Sequence, residues 1–426
     1  MIAHYKDQFD QWINSTAQNS WYKSLRTQAF EAFEKNGFPT QKEEAWKHAD
    51  LSLFRKEFFP ALASKDSFQK NWKSDFEKHV DFQKIQYLAF WGGQLVDQSI
   101  DDQSALMIQN LDQLDPKTKI EAETILTSFA PRYDHPFYQL NTAFHAQAIW
   151  IHVKKTQSKP LILFYLDQQT SKVSAYYRNL VVAESQVSIQ ILEYFPHLES
   201  SQVAFNVTTQ VSAKENALVE HVKIQDQNLT SYHQGFFYGL AQRNATIKSF
   251  SFSRGAAFAR NDVDIVLDGI QSHGDMFGLY SNVDHQYVDH RTCMDHRVAH
   301  CTSKELYKGV LADQSHAVFE GRIKVHEGAQ KTDSQQMNRN LLLSDEAKVD
   351  TAPQLEIFAD DVKCAHGATI GKLDEEQLFY LQSRGIDRAQ ATQLLIGAFV
   401  GEVFDELSLS FQGLVRGIIG KGWEHD

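Results

Sequence analysis

Only three cysteines, Cys293, Cys301 and Cys364, occur in the 426 residues. Three thiols cannot staple a chain this long, so a disulfide scaffold is excluded. No apolar run approaches the roughly 18 residues of a membrane span. Basic residues are outnumbered, 42 Lys and Arg against 54 Asp and Glu, for a net charge of −12. That balance argues against general nucleic-acid binding, which needs a concentrated basic surface. The start, MIAHYKDQFDQWINS, lacks the unbroken apolar core of a secretory signal. The N-x-Thr sequons at Asn14, Asn206, Asn228 and Asn244 are therefore read as incidental, and the chain as cytoplasmic. What is there is an ordinary globular mixture, 42% hydrophobic and 23% charged, long enough for two or three structural units.

Three zones follow one another. Up to about residue 84, apolar residues recur at helical spacing (Phe9, Trp12 and Ile13; Phe30 and Phe33), and Gly37-Phe38-Pro39 breaks the pattern. From about Tyr87 to Ile370 short β-rich runs such as VSIQILEYF and DVDIVL replace it, with no helix of ten or more residues expected between 180 and 360. A polar turn followed by a strand recurs from Glu184, Lys214, Gln242, Gln271, Asp313 and Ser344, at intervals of 30, 28, 29, 42 and 31 residues. Two strands and no crossover helix per unit suit a coil of a parallel β-helix, the interval of 42 then being a coil with an inserted loop. Periodicity alone leaves a large β-sandwich or barrel open. From Leu373 the chain is helical again: Asp374 with Gln377 and Asp387 with Gln390 open two helices, Gly385 ends the first, and the tail LVRGIIGKGWEHD reads as frayed.

Chemical motifs are sparse. GATIGKL at 367–373 has three residues between its glycines and Leu after Lys, so it is not a phosphate loop. There is no G-x-S-x-G and no H-E-x-x-H. His285, His290, His296 and His300, with Cys293 and Cys301, crowd one segment, but their spacing fits no structural zinc pattern. Lining of a surface or interface is the better reading of that segment. Asp262 and Asp264 share a strand face, as a carbohydrate-cleaving β-helix would need, and are read instead as a solvated face. Cys364 and His366, at i and i+2 on a strand, point the same way about 7 Å apart. They supply two ligands toward a soft-metal site, or simply a buried Cys beside a hydrogen-bonded His.

The stretch from Met337 to Ile386, which ends in VDTAPQLEIFADDVKCAHGATIGKLDEEQLFYLQSRGI, closely resembles the C-terminal signature of the SufD family of the SUF iron–sulfur cluster machinery. GFPTQKEEAWK at 37–47, FYQLNTAF at 137–144 and HCTSKELYKGVL at 300–311 match in the family's order. The resemblance implies a mainly β fold, a right-handed parallel β-helix at 85–372 between helical domains at 1–84 and 373–426. It implies a non-catalytic scaffold subunit that pairs with SufB through the β-helix and binds the ATPase SufC through its C-terminal helices. It places Cys364 and His366 at the SufB interface, His366 as a metal ligand, around a nascent iron–sulfur cluster that is transient, shared with SufB and not held tightly by this chain alone. It assigns the SufC-facing region to Asp374, Leu378, Leu394, Leu395 and Phe399. A reduced flavin is associated with the family's complex, but the chain shows no flavin motif. Two other readings stand beside it: a secreted-type β-helix carbohydrate enzyme and a stand-alone metal-binding protein. An exposed β-helix edge meant for SufB would also let the isolated chain pair with itself as a homodimer.

Overall fold

The structure is a computed structural model that describes all residues except 1, 16–19, 63–67, 69, 129–134, 170, 199–200 and 420–426. Its organising unit is set by turns that need a left-handed residue. Gln186, Asn216, Asn244, Gln271, His300 and Lys331 all have φ between 55° and 64° and occupy successive turns of one series. Asn tolerates that conformation best, because its short polar side chain can satisfy nearby backbone groups, and none of the six positions holds a β-branched residue. Each such turn sends the chain from one sheet to the other, and each following strand stacks in parallel on its predecessor.

Two sheets result, one of ten strands and one of nine, with every strand from Ala148 to Lys372 paired in parallel within its sheet. Together they form a parallel β-solenoid of about 8 turns, within a chain that is 43% strand and 26% helix. The mainly β expectation of a parallel β-helix between helical elements holds. The inserted loop does not. Successive turns fall 27 to 31 residues apart, from Gln186 through to Lys331. Asp313 belongs to the opposite turn series, between strands Thr302–Leu311 and His316–Val325, so measuring from Gln271 to Asp313 crosses from one series to the other.

Inward side chains of the two sheets make one core, with Ile151, Leu163, Val181, Ile265 and Phe319 all fully buried. The outer faces are covered by different elements. The helices Ile2–Ser15, Ser20–Asn36, Pro116–Ser128 and Pro136–Phe144 lie against the nine-stranded sheet, where Phe9 stacks on Phe30 at 4.3 Å between ring centroids. Gly37 ends the second of them at φ +68°, its amide donating to the Phe33 carbonyl. The helices Pro116–Ser128 and Pro136–Phe144 lie within the span 85–372, yet the second of them packs on the N-terminal helix Ser20–Asn36. The helices Arg388–Asp405 and Leu409–Ile419 cover the ten-stranded sheet, burying Val400, Val403, Phe404, Phe411 and Val415 against Phe250, Phe252 and Leu306. The tail is thus a packed helix as far as Ile419, not a frayed end; residues 420–426 lie outside the described residues. Among the described residues no helix is long and apolar enough to cross a membrane.

Candidate functional site

The two ends of the solenoid differ. At one end the antiparallel strands Gln94–Ser99 and Leu106–Asn110 border the sheets. At the other, Lys348–Ile357 and Lys363–Lys372 are the outermost strands, and most of their side chains are exposed or half-exposed. An outermost strand carries backbone N–H and C=O groups with no neighbouring strand to bond. Pro353 interrupts the donor row of Lys348–Ile357, as proline does on edge strands. Lys363–Lys372 contains no proline and offers the fuller row.

Cys364 and His366 stand on that last strand, on the face that in every earlier coil points into the core. No further coil stacks on them, so Cys364 is half-buried and His366 exposed. Burial, and next the charge of Asp333, push the Cys364 thiol up, so metal binding there must displace its proton. GATIGKL lies on this same strand and its exit, with no loop that could wrap a phosphate.

Beneath the pair runs a polar interior that alternation patterns in the sequence do not reveal. Strand register aligns Ser303, Ser334 and Cys364 in one row and Glu305, Gln336 and His366 in the next. His296 Nε2 lies 2.9 Å from Ser303 Oγ, and Ser303 Oγ 2.6 Å from Ser334 Oγ. Gln336 donates to Glu305 at 2.8 Å, and Thr292 donates to the other carboxyl oxygen. Burial pushes the Glu305 carboxyl up to about 7.

The histidine-rich segment divides by geometry. His285 and His300 are exposed in turns, whereas His290 and His296 are inside the solenoid rather than lining a surface. Burial holds the imidazoles of His290 and His296 down to about 3 and about 4, so both are neutral. Cys301 is buried at a turn beside Ser272 Oγ at 3.3 Å, and Cys293 faces outward from the opposite sheet. Asp262, its side chain 18% exposed, and Asp264 border a cavity on the outer face of their sheet and not an open strand face. Arg260 holds Asp262 through Nε at 2.9 Å and Nη2 at 3.1 Å, and His135 covers it.

The C-terminal helices form the second candidate surface. Asp374 caps Glu375–Ser383 by accepting from the Glu376 and Gln377 amides, Gly385 follows at φ +87°, and Asp387 caps Arg388–Asp405. Leu394 is 53% exposed and Leu395 half-buried. Leu378, expected to face a partner, is 1% exposed and so does not form the surface; its helix packs on Arg388–Asp405. Phe399 turns toward the solenoid, its ring under Lys308 Nζ at 4.7 Å. Phe379 and Tyr380, which the sequence reading missed, are 72% and 58% exposed. Two adjacent aromatic residues on a short helix were the available signal. Glu402 accepts from Lys308 and Arg339, tying the helix Arg388–Asp405 to strands Thr302–Leu311 and Asp333–Leu342.

Two family models cover this architecture, the SUF system FeS cluster assembly SufBD core domain over residues 164–399 and the SufBD protein N-terminal region over residues 1–160. The chain belongs to the SufBD family. Within it, the chain is 32% identical to the iron-sulfur cluster assembly protein SufD of Escherichia coli, across 91% of this chain and 89% of that one. It is 29% identical to the SufD of Bacillus subtilis, over 63% of each chain. It is 30% identical to a SufBD family protein of Synechocystis, over 66% of this chain and 64% of that one. The core-domain model takes in the last strand with Cys364 and His366 and ends in the helix that carries Leu394 and Phe399.

Proposed function

We propose that the chain is a non-catalytic scaffold subunit of cytoplasmic iron–sulfur cluster assembly, pairing through its open solenoid edge with SufB and holding the ATPase SufC on its C-terminal helices. The open edge carries this reading: Lys363–Lys372 ends its sheet with Cys364 and His366 turned to where another coil would stack. A strand from a partner adding there supplies the missing main-chain hydrogen bonds. It also covers the two side chains and makes them part of a seam.

The chemistry favours sharing. A tetrahedral iron site needs about four ligands, and this edge supplies one thiol and one imidazole. The partner supplies the rest, so the nascent cluster is cargo held between chains and released. The exposed Phe379, Tyr380 and Leu394 give SufC an apolar contact. Movement of the helix Arg388–Asp405, which carries Leu394, reaches the seam through Glu402 and Arg339, since Arg339 pairs in register with Thr369 on the last strand. The carbohydrate-enzyme reading has no comparable support, because Asp262 is committed to Arg260 under the N-terminal unit.

The test is to replace His366 with Ala in the complex co-expressed with SufB and SufC. Iron and sulfide bound per assembled complex should fall several-fold while the subunits still co-purify. Unchanged cluster content would sink the role given to His366.

A further inference from the structure

We propose that His48, His316 and Asp350 form a site for a divalent first-row transition-metal ion that pins the N-terminal unit to the end of the solenoid. The three residues come from segments far apart in sequence. His48 follows the short helical turn Glu44–Trp46, His316 opens the strand His316–Val325, and Asp350 is third in the outermost strand Lys348–Ile357. Asp350 pairs with Val318, so it and His316 are diagonal neighbours on the outward face.

One carboxylate oxygen, Oδ2 of Asp350, lies 2.7 Å from His316 Nε2 and 3.3 Å from His48 Nδ1. All three donor atoms fall within 4.8 Å of one another, and among the described residues this is the one His/Cys/Asp/Glu grouping of that kind. Donors about 2.0–2.2 Å from a shared ion stand roughly 3.0–3.5 Å apart, so the His48–Asp350 pair already fits, the His316–Asp350 pair opens by a few tenths of an ångström, and the two imidazole nitrogens, within 4.8 Å of each other, come to the same spacing by a ring rotation. The two imidazole rings are 6.0 Å apart at 84°, so neither stacks on the other and both can turn a nitrogen toward one point. Tyr287 packs edge-on to His316 at 5.4 Å and fixes its ring.

Two imidazoles and a carboxylate select Zn²⁺, Fe²⁺ or Co²⁺ over Mg²⁺ and Ca²⁺, which prefer all-oxygen sites. The imidazoles are 27% and 26% exposed and the carboxylate 44%, so an ion has an entry path and water can complete its coordination. This is an exchangeable site and not a closed structural one. It lies on the nine-stranded sheet facing outward, whereas Cys364 and His366 lie on the ten-stranded sheet facing the core.

The test titrates the full metal-stripped chain anaerobically with Co²⁺, following its visible ligand-field absorption. A Cys364→Ser/His366→Ala background removes the other donors and separates this site from the cluster seam. One equivalent should bind in that background. Zn²⁺ or Fe²⁺ should displace it, and the ion that does so at lower concentration is the better occupant. Asp350→Asn and His48→Gln should each weaken binding at least tenfold and abolish the rise in melting temperature that Zn²⁺ gives. Both positions are accessible enough to change without unfolding the chain, which circular dichroism checks. Absence of stoichiometric binding, or equal binding by the variants, would overturn the site and leave a simple hydrogen-bonded triad.

Discussion

Glu305 is the residue at which the polar interior becomes measurable. Its carboxyl is raised to about 7 by burial in the folded chain and reverts to an ordinary value near 4.5 on unfolding. Between those values the folded state binds the proton and the unfolded state does not, so stability falls as pH rises from about 4.5 to about 7 and is flat above. The span corresponds to about 3 kcal/mol at most. Glu305→Gln should remove that slope in urea melts run at several pH values, and an unaltered slope would assign it elsewhere. Cys364 offers a second check. Removing the nearby charge with Asp333→Asn should lower the thiol's pKa and speed its alkylation near pH 8 by roughly twofold. These interior groups escaped the sequence because a buried polar residue and a solvated one look alike in an alternating pattern. His290, Glu305 and Gln336 each sit where alternation alone would allow either face.

Among the elements, the C-terminal helices show what was readable and what was not. Both N-caps, Asp374 and Asp387, and the Gly385 stop follow from local chemistry, since each side chain bonds amides two or three residues on. Which helical face is buried depends on the sheet beneath. Ile396, Val400 and Val403 turn inward, whereas Leu394 and Ala398 are exposed, although all share apolar helical spacing. Phe379→Glu with Leu394→Glu should therefore weaken SufC binding at least tenfold in calorimetry without altering the circular dichroism of the chain. By contrast, Glu402→Ala leaves Lys308, whose side chain is 3% exposed, without its carboxylate, and should lower stability by about 1–3 kcal/mol in urea melts. Full SufC affinity in the first variant would move the docking surface off these helices.

For the whole molecule, the coil repeat was legible because the same left-handed turn must recur wherever one coil rises to the next. The signature from Met337 to Ile386 marked the family because the last coil and the first C-terminal helix are continuous in sequence. The placement of Pro136–Phe144 on the N-terminal helix Ser20–Asn36, and the meeting of His48 with His316 and Asp350, depend on long-range packing that no local pattern encodes. The open end has the same character. A strand's sequence does not say that it is the last one; only the stacking order does.

That open end is where the proposed function stands or falls. Backbone amide hydrogen exchange across Lys363–Lys372 and Lys348–Ile357 should be compared between the free chain and its complex with SufB. Protection should increase by at least an order of magnitude on Lys363–Lys372, and less on Lys348–Ile357 with its proline, while the outer helices change little. A stable complex in which Lys363–Lys372 exchanges as fast as in the free chain would contradict pairing through this edge and, with it, a cluster site built around Cys364 and His366.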